Sequence, residues 1–136
     1  WMNAARQLEF EVVVACPEGY DPDPTLLDAC SQWVRIERDP AQAVQGADLL
    51  VTDVWASMGQ EAEQNERAAN LVPYQLNRPL LDLAGPDALY MHCLPAHRGE
   101  EISAELMDAP DNVIWQEAEN RLHAQKAVLA WCFAGD

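Results

Sequence analysis

Three short stretches of this sequence crowd reactive side chains together, and each lies beside an apolar run. Residues 90–101 read YMHCLPAHRGEE, which sets His92, Cys93, His97, Arg98, Glu100 and Glu101 around Pro95. Residues 52–61 read TDVWASMGQE, with Asp53 four positions ahead of Ser57. Residues 117–123 read EAENRLH, around Arg121.

Each stretch supports more than one chemistry. Cys93 with a histidine nearby suits a nucleophilic thiol, and a buried thiol at a strand end is the plainer alternative. Thiolate and imidazole are good zinc ligands. The His-Cys-x-x-x-His spacing matches no usual ligand pair, however, and no second cluster completes a set of four, so no metal is expected. Leu94-Pro95 is an X-Pro bond that can be cis. A cis bond is expected here, because the resulting bend turns the carbonyls of Cys93 and Leu94 toward a ligand carrying N–H groups. Ser57 and Gln60 form an S-x-x-Q capping box. The same helix start offers the amides of Ser57, Met58 and Gly59 to an anion such as a carboxylate. Asp53 beside them would hold an ammonium group, making a clamp for an amino acid, or it closes an Asx-turn. Arg121 either pairs with Glu117 at i,i+4, worth roughly 0.2–0.5 kcal/mol, or reaches a phosphate or a polarised carbonyl.

These groups need elements to hold them. Short β-rich runs alternate with helical stretches. Strands are expected at Glu11–Cys16, Trp33–Glu37, Asp48–Thr52, Ala88–His92 and Asn112–Trp115. Helices are expected at Pro24–Ser31, from Asp39-Pro40 to Gly46, at Gln60–Leu71, within Pro73–Ala84, after a Ser103 cap to Met107, and at Glu117–Phe133. The last carries Ala118, Leu122, Leu129 and Phe133 on one stripe. This alternation implies right-handed crossovers and an α/β fold, a Rossmann-like parallel sheet flanked by helices. In such sheets ligands bind beyond the carboxyl ends of the strands, where Asp53 and Cys93 fall.

The totals exclude several classes. With 8 Lys and Arg against 23 Asp and Glu, the formal charge is −15, and Lys126 is the only lysine. No nucleic-acid surface is expected, because phosphate neutralisation needs clustered cations. Cys16, Cys30, Cys93 and Cys132 form no C-x-x-C pair, so free thiols in a cytoplasmic protein are expected. No apolar run approaches the roughly 20 residues that span a bilayer, and no membrane partner is expected. Trp1–Leu8 reads as the middle of a helix with no cap before it, so further chain is expected upstream.

Taken together, Asp53-Val54-Trp55-Ala56-Ser57-Met58-Gly59-Gln60-Glu61, then residues 92–101, HCLPAHRGEE, and residues 117–126, EAENRLHAQK, resemble the ornithine carbamoyltransferases in order and spacing. The resemblance covers essentially all 136 residues and only the family's C-terminal, L-ornithine-binding half. It implies transfer of the carbamoyl group of carbamoyl phosphate to the δ-amine of L-ornithine, giving citrulline and phosphate, with no cofactor. It implies that Asp53 binds the ornithine amino group and that Ser57 and the Met58 amide bind its carboxylate. Cys93 would sit beside the reacting δ-amine, the carbonyls of Cys93 and Leu94 would hold the carbamoyl NH₂, and Arg121 would reach the carbamoyl oxygen or phosphate. His97, Arg98, Glu100 and Glu101 receive no chemical role beyond fixing the loop.

The family's N-terminal carbamoyl-phosphate-binding domain, with its Ser-Thr-Arg-Thr segment, is absent from residues 1–136. So are the first, central strand of the sheet and the Gly-Asp-Gly-Asn-Asn turn that follows it. The chain alone is expected to be inactive, and the whole enzyme to be a homotrimer or a multiple of trimers. Two other readings stand beside this one. One is a related transcarbamoylase acting on putrescine, aspartate or N-acetylornithine; the other is a non-catalytic module that binds an amino acid.

Overall fold

A computed structural model describes residues 1–55 and 67–134. Ser57, Met58 and most of the expected Gln60–Leu71 helix therefore lie outside the described residues; residues 67–71 are helical. The chain runs α1 (Met2–Leu8), β1 (Val12–Ala15), α2 (Pro24–Ala29), β2 (Val34–Glu37), α3 (Pro40–Ala43) and β3 (Leu49–Thr52). A 3₁₀ turn (Val72–Tyr74), α4 (Arg78–Leu81), β4 (Leu89–His92), α5 (Ala104–Met107) and α6 (Ile114–Phe133) follow.

The local reasons are visible in the caps. Asp23, Asp39, Asn77 and Ser103 each accept a backbone N–H at the start of a helix, from Leu26, Ala41, Leu80 and Leu106. Each such cap satisfies one of the orphan donors of the first turn. Proline follows three of these caps in the first turn, where its missing N–H costs nothing. At the other end of α1, Glu9 takes the left-handed conformation (φ 58°) and returns its N–H to the Ala5 carbonyl, a common helix ending.

Strand pairing is parallel throughout, as the alternation of elements implies. β1 pairs with β2 in the register Val12↔Val34, and β3 pairs with β4 in the register Leu49↔Leu89. The described residues thus form two two-stranded ladders, with no strand joining them. Each ladder has its own core. Ala5, Cys30 and Val34 gather beneath β1 and β2. Leu50, Leu76, Tyr90, Ile102, Leu106, Met107 and Ile114 gather beneath β3 and β4. The Tyr90 hydroxyl, buried with its ring, donates to the Leu106 carbonyl at 3.0 Å.

Two expectations are corrected, and one is narrowed. The run Asn112–Trp115 is not a strand: Ile114 already opens α6. Its β-branched residues suggest a strand, but the buried Asn112 side chain overrides that preference. Its Nδ2 donates to the Met107 and Ala109 carbonyls and its Oδ1 accepts the Ile114 N–H, which turns the chain into the helix. The helix expected within Pro73–Ala84 is α4, four residues long. The Leu76 N–H donates to the Glu101 carbonyl and the Ser103 N–H to the Leu76 carbonyl, so the chain is pulled straight before Asn77 caps α4. Finally, the stripe on α6 does not seat on this domain's core. Only its first turns pack against the body; Leu122, Leu129 and Phe133 are exposed, as is Trp131 at 81 %. Twenty residues of helix extend about 30 Å, further than β4 and its surroundings can cover.

Removing the Asn112 carboxamide should therefore destabilise the start of α6. Asn112→Ala strands buried backbone groups, and should cost roughly 1–3 kcal/mol, read as a lower urea midpoint. An unchanged midpoint would contradict this role.

Candidate functional site

The register Thr52↔His92 aligns the carboxyl ends of β3 and β4. The next residue on each strand, Asp53 and Cys93, therefore emerges on the same edge. The Cys93 thiol donates to Asp53 Oδ1 at 3.1 Å, and the same oxygen accepts the Val54 N–H at 2.7 Å. Asp53 is thus held by its neighbour's amide rather than by an Asx-turn. Its other oxygen makes no hydrogen bond to any described residue.

The Cys93 thiol is pushed up to about 11. Burial is the main cause, because it disfavours a thiolate; the hydrogen bond and charge of Asp53 add to it, and Glu117 adds a little more. A thiolate nucleophile at neutral pH is therefore disfavoured, which removes one of the chemistries open to this stretch. Cys93 acts instead as a neutral donor beside a carboxylate.

The loop after Cys93 has an unusual path. Leu94 adopts a positive φ of 56°, and the Leu94–Pro95 bond is cis, as expected. The Leu94 N–H donates to His92 Nδ1 at 2.9 Å. His92 Nε2 in turn lies 2.9 Å from Glu101 Oε1, which also accepts the His97 N–H at 2.6 Å. Donor atoms of Asp53, His92 and Cys93 lie within 4.8 Å of one another. Both imidazole nitrogens are already engaged and the thiol holds its proton, so this trio is poorly suited to bind a metal ion. Arg98 forms a forked ion pair with Asp108, at 2.8–3.3 Å, on the surface. That contact ties the loop to the end of α5.

Arg121 lies on the exposed face of α6, one turn past Glu117. Of the two readings of Arg121, the Glu117–Arg121 pair is not formed. Arg121 makes no ion pair with any described residue, while Glu117 turns its Oε2 out of solvent without a hydrogen-bond partner. The first turns of α6 contact β4, so the helix that carries Arg121 starts beside the strand that carries Cys93.

Residues 1–132 match the model of the aspartate/ornithine carbamoyltransferase Asp/Orn-binding domain. The chain belongs to this family. It is 57 % identical over 129 residues to the ornithine carbamoyltransferase of Nitrosococcus oceani, covering 95 % of this chain and 42 % of that protein. It is 54 % identical over 134 residues to that of Hydrogenovibrio crunogenus, covering 98 % and 44 %. The ornithine carbamoyltransferase structure from Pyrococcus furiosus superposes with a TM-score of 0.87 at 51 % identity, over 95 % of this chain and 44 % of that one. An N-acetyl-L-ornithine transcarbamylase structure superposes at 0.79 with 26 % identity, over 95 % and 42 %. The chain thus spans less than half the length of the relatives it matches.

Of the carbamoyltransferase residues expected from sequence, the fold brings Asp53, Cys93 and Leu94 to one edge and carries Arg121 on the adjoining helix. Ser57 and Met58 lie outside the described residues. Sequence reasoning missed the His92–Glu101 contact, which joins residues nine positions apart across a proline and follows no periodicity.

The raised Cys93 thiol predicts sluggish alkylation. Near pH 8 its reactive thiolate should be about a hundredfold scarcer than for a thiol titrating near 9. Asp53→Asn removes a charge that favours the thiol and weakens the acceptor of its hydrogen bond, so it should lower the pKa and speed alkylation. Iodoacetamide labelling of the Cys93 peptide against pH, followed by mass spectrometry, checks this; a slower rate in the variant would contradict it.

Proposed function

We propose that this domain forms the L-ornithine-binding half of an ornithine carbamoyltransferase, which makes citrulline and phosphate from L-ornithine and carbamoyl phosphate. The observation that carries this reading is the Asp53–Cys93 contact at the shared edge of β3 and β4, 3.1 Å across. It sets an exposed carboxylate beside a neutral thiol, a pairing suited to one ammonium and one uncharged amine. Identities of 54–57 % to proteins named ornithine carbamoyltransferase support it. The 26 % identity to the N-acetyl-L-ornithine enzyme favours the unmodified amino acid.

In this reading Asp53 holds the α-ammonium of ornithine, and Ser57 and the Met58 amide hold its carboxylate. The δ-amine resembles that of lysine, near pKa 10.4 in water, and must lose its proton to attack. Desolvation beside the half-buried Cys93 lowers the cost of that loss. The amine nitrogen then attacks the carbamoyl carbon, the carbon–oxygen bond to phosphate breaks, and the departing phosphate takes up the amine's proton. The Cys93 and Leu94 carbonyls accept hydrogen bonds from the carbamoyl NH₂. Arg121 offers five fixed donors to the carbamoyl oxygen or the phosphate. No metal or organic cofactor enters these steps.

The remaining cradle for phosphate comes, in this reading, from a carbamoyl-phosphate-binding domain outside residues 1–136. The separation of the two ladders fits a further strand seated between them. We also read the whole enzyme as a cytoplasmic homotrimer or multiple of trimers. The free cysteines fit a reducing compartment, and no described helix is long and apolar enough to cross a membrane.

Two measurements test this function. In a full-length enzyme containing this sequence, Asp53→Asn should weaken L-ornithine by roughly 1.5–3 kcal/mol, the worth of a charged hydrogen bond, and spare carbamoyl phosphate. Calorimetry with a phosphonate donor analogue present reads the difference, and equal ornithine affinity would remove the assignment. Residues 1–136 alone should make no measurable citrulline. Turnover matching the full-length enzyme would place the donor site in this chain after all.

A further inference from the structure

His92 and Glu101 are both 0 % exposed, and neither has a place in the chemistry just described. Burying two such groups is costly, and a buried ionic pair is often replaceable by apolar residues with no loss of stability. Stability alone is therefore a weak reason for the pair. Its position is more informative. His92 is the last residue of β4, directly before Cys93 and Leu94.

The hydrogen bonds assign the imidazole its proton. Nδ1 accepts the Leu94 N–H, so it carries no hydrogen. The hydrogen is therefore on Nε2, which donates to Glu101 Oε1. The glutamate end is anchored in the body of the domain. Its carbonyl accepts the Leu76 N–H at 2.9 Å. The next residue, Ile102, is fully buried in the larger core, and the Gln75 side chain donates to the Gly99 and Glu100 carbonyls. The Leu94 end needs an anchor, because a leucine at φ 56° sits in the left-handed region, which is strained for a residue with a side chain.

We propose that Glu101 and His92 form a positioning relay, in which the core-anchored carboxylate fixes the imidazole and the imidazole holds the Leu94 amide, so that the Cys93 and Leu94 carbonyls face the carbamoyl group. The mechanistic part rests on the carbamoyltransferase reading; the relay itself rests on geometry. His92 and Glu101 touch no substrate. They act through the loop.

Two substitutions separate this from a purely structural role. Asn keeps an acceptor where Nδ1 stood, since Asn side chains readily take the N–H two residues on. Gln reaches to the Nε2 position and keeps the donor to Glu101, but loses the acceptor. In a full-length enzyme containing this sequence, active sites are counted by titration with a phosphonate bisubstrate analogue. His92→Gln should then lower kcat per site by about tenfold to a hundredfold, as small misplacements of reacting groups do, with KM for ornithine nearly unchanged. His92→Asn should retain clearly more activity per site than His92→Gln. A pair that serves stability alone predicts the opposite ranking, because Gln preserves the buried contact; that ranking, or a His92→Gln enzyme matching the parent, would overturn the relay. The second measurement does not depend on activity. Long-range ¹H–¹⁵N correlation of the His92 ring should show protonation at Nε2 and an unprotonated, hydrogen-bonded Nδ1. Protonation at Nδ1 would overturn the relay even in an active enzyme. A parent that makes no citrulline but shows the Nε2 tautomer would sink the functional reading and leave the relay standing.

Discussion

The site depends first on a register. Pairing Thr52 with His92 in a parallel ladder sets the residues that follow, Asp53 and Cys93, side by side at the strand ends. Side chains alternate faces along a strand, so a slip of one residue would send Cys93 and Asp53 to opposite sides. The register is held by what lies beneath it. Leu50 and Tyr90 pair across the ladder and point into the same core as Ile102, Leu106 and Ile114. Slippage of β4 would put Leu89 or Met91 in the place of Tyr90 and lose the Tyr90 hydrogen bond to the Leu106 carbonyl.

The same ladder explains why polar groups concentrate at one end. Strands of four residues end abruptly, and the backbone beyond them must find partners outside the sheet. Asp53 takes the Val54 amide and His92 takes the Leu94 amide. Each side chain thus finishes the hydrogen bonding of its own strand end, at the edge of the sheet where folds of this kind bind ligands. A thiol kept protonated by burial and by a neighbouring carboxylate suits such an edge. It can donate to Asp53 without adding a second negative charge beside it.

Much of this was legible in the sequence, and the limits have physical causes. All four strands begin or end within a residue or two of the apolar runs that announce them, and the caps at Asp39 and Ser103 follow from side chains that bond locally. Asp53 and Cys93 stood out because reactive residues at strand ends have few structural reasons to be there. Asn112 was illegible because its three hydrogen bonds reach backbone groups that only the folded turn brings close. The His92–Glu101 contact is non-local in the same way, and its two members read equally well as surface residues. The stripe on α6 was legible as a stripe, but periodicity reports an apolar face and not the surface that covers it. The split of the sheet into two ladders follows from no local pattern, since strand order is a property of the whole fold; only the family resemblance, which puts a central strand outside residues 1–136, pointed to it.

The most direct test of the proposed site is a crystal structure of a full-length enzyme containing this sequence, bound to a phosphonate analogue that joins ornithine to the carbamoyl group. The α-ammonium should lie within hydrogen-bond distance of Asp53, the δ-nitrogen beside Cys93, and the carbamoyl-derived N–H groups against the Cys93 and Leu94 carbonyls. An analogue bound away from the carboxyl ends of β3 and β4, or with its amino-acid end turned from Asp53, would contradict the site built here.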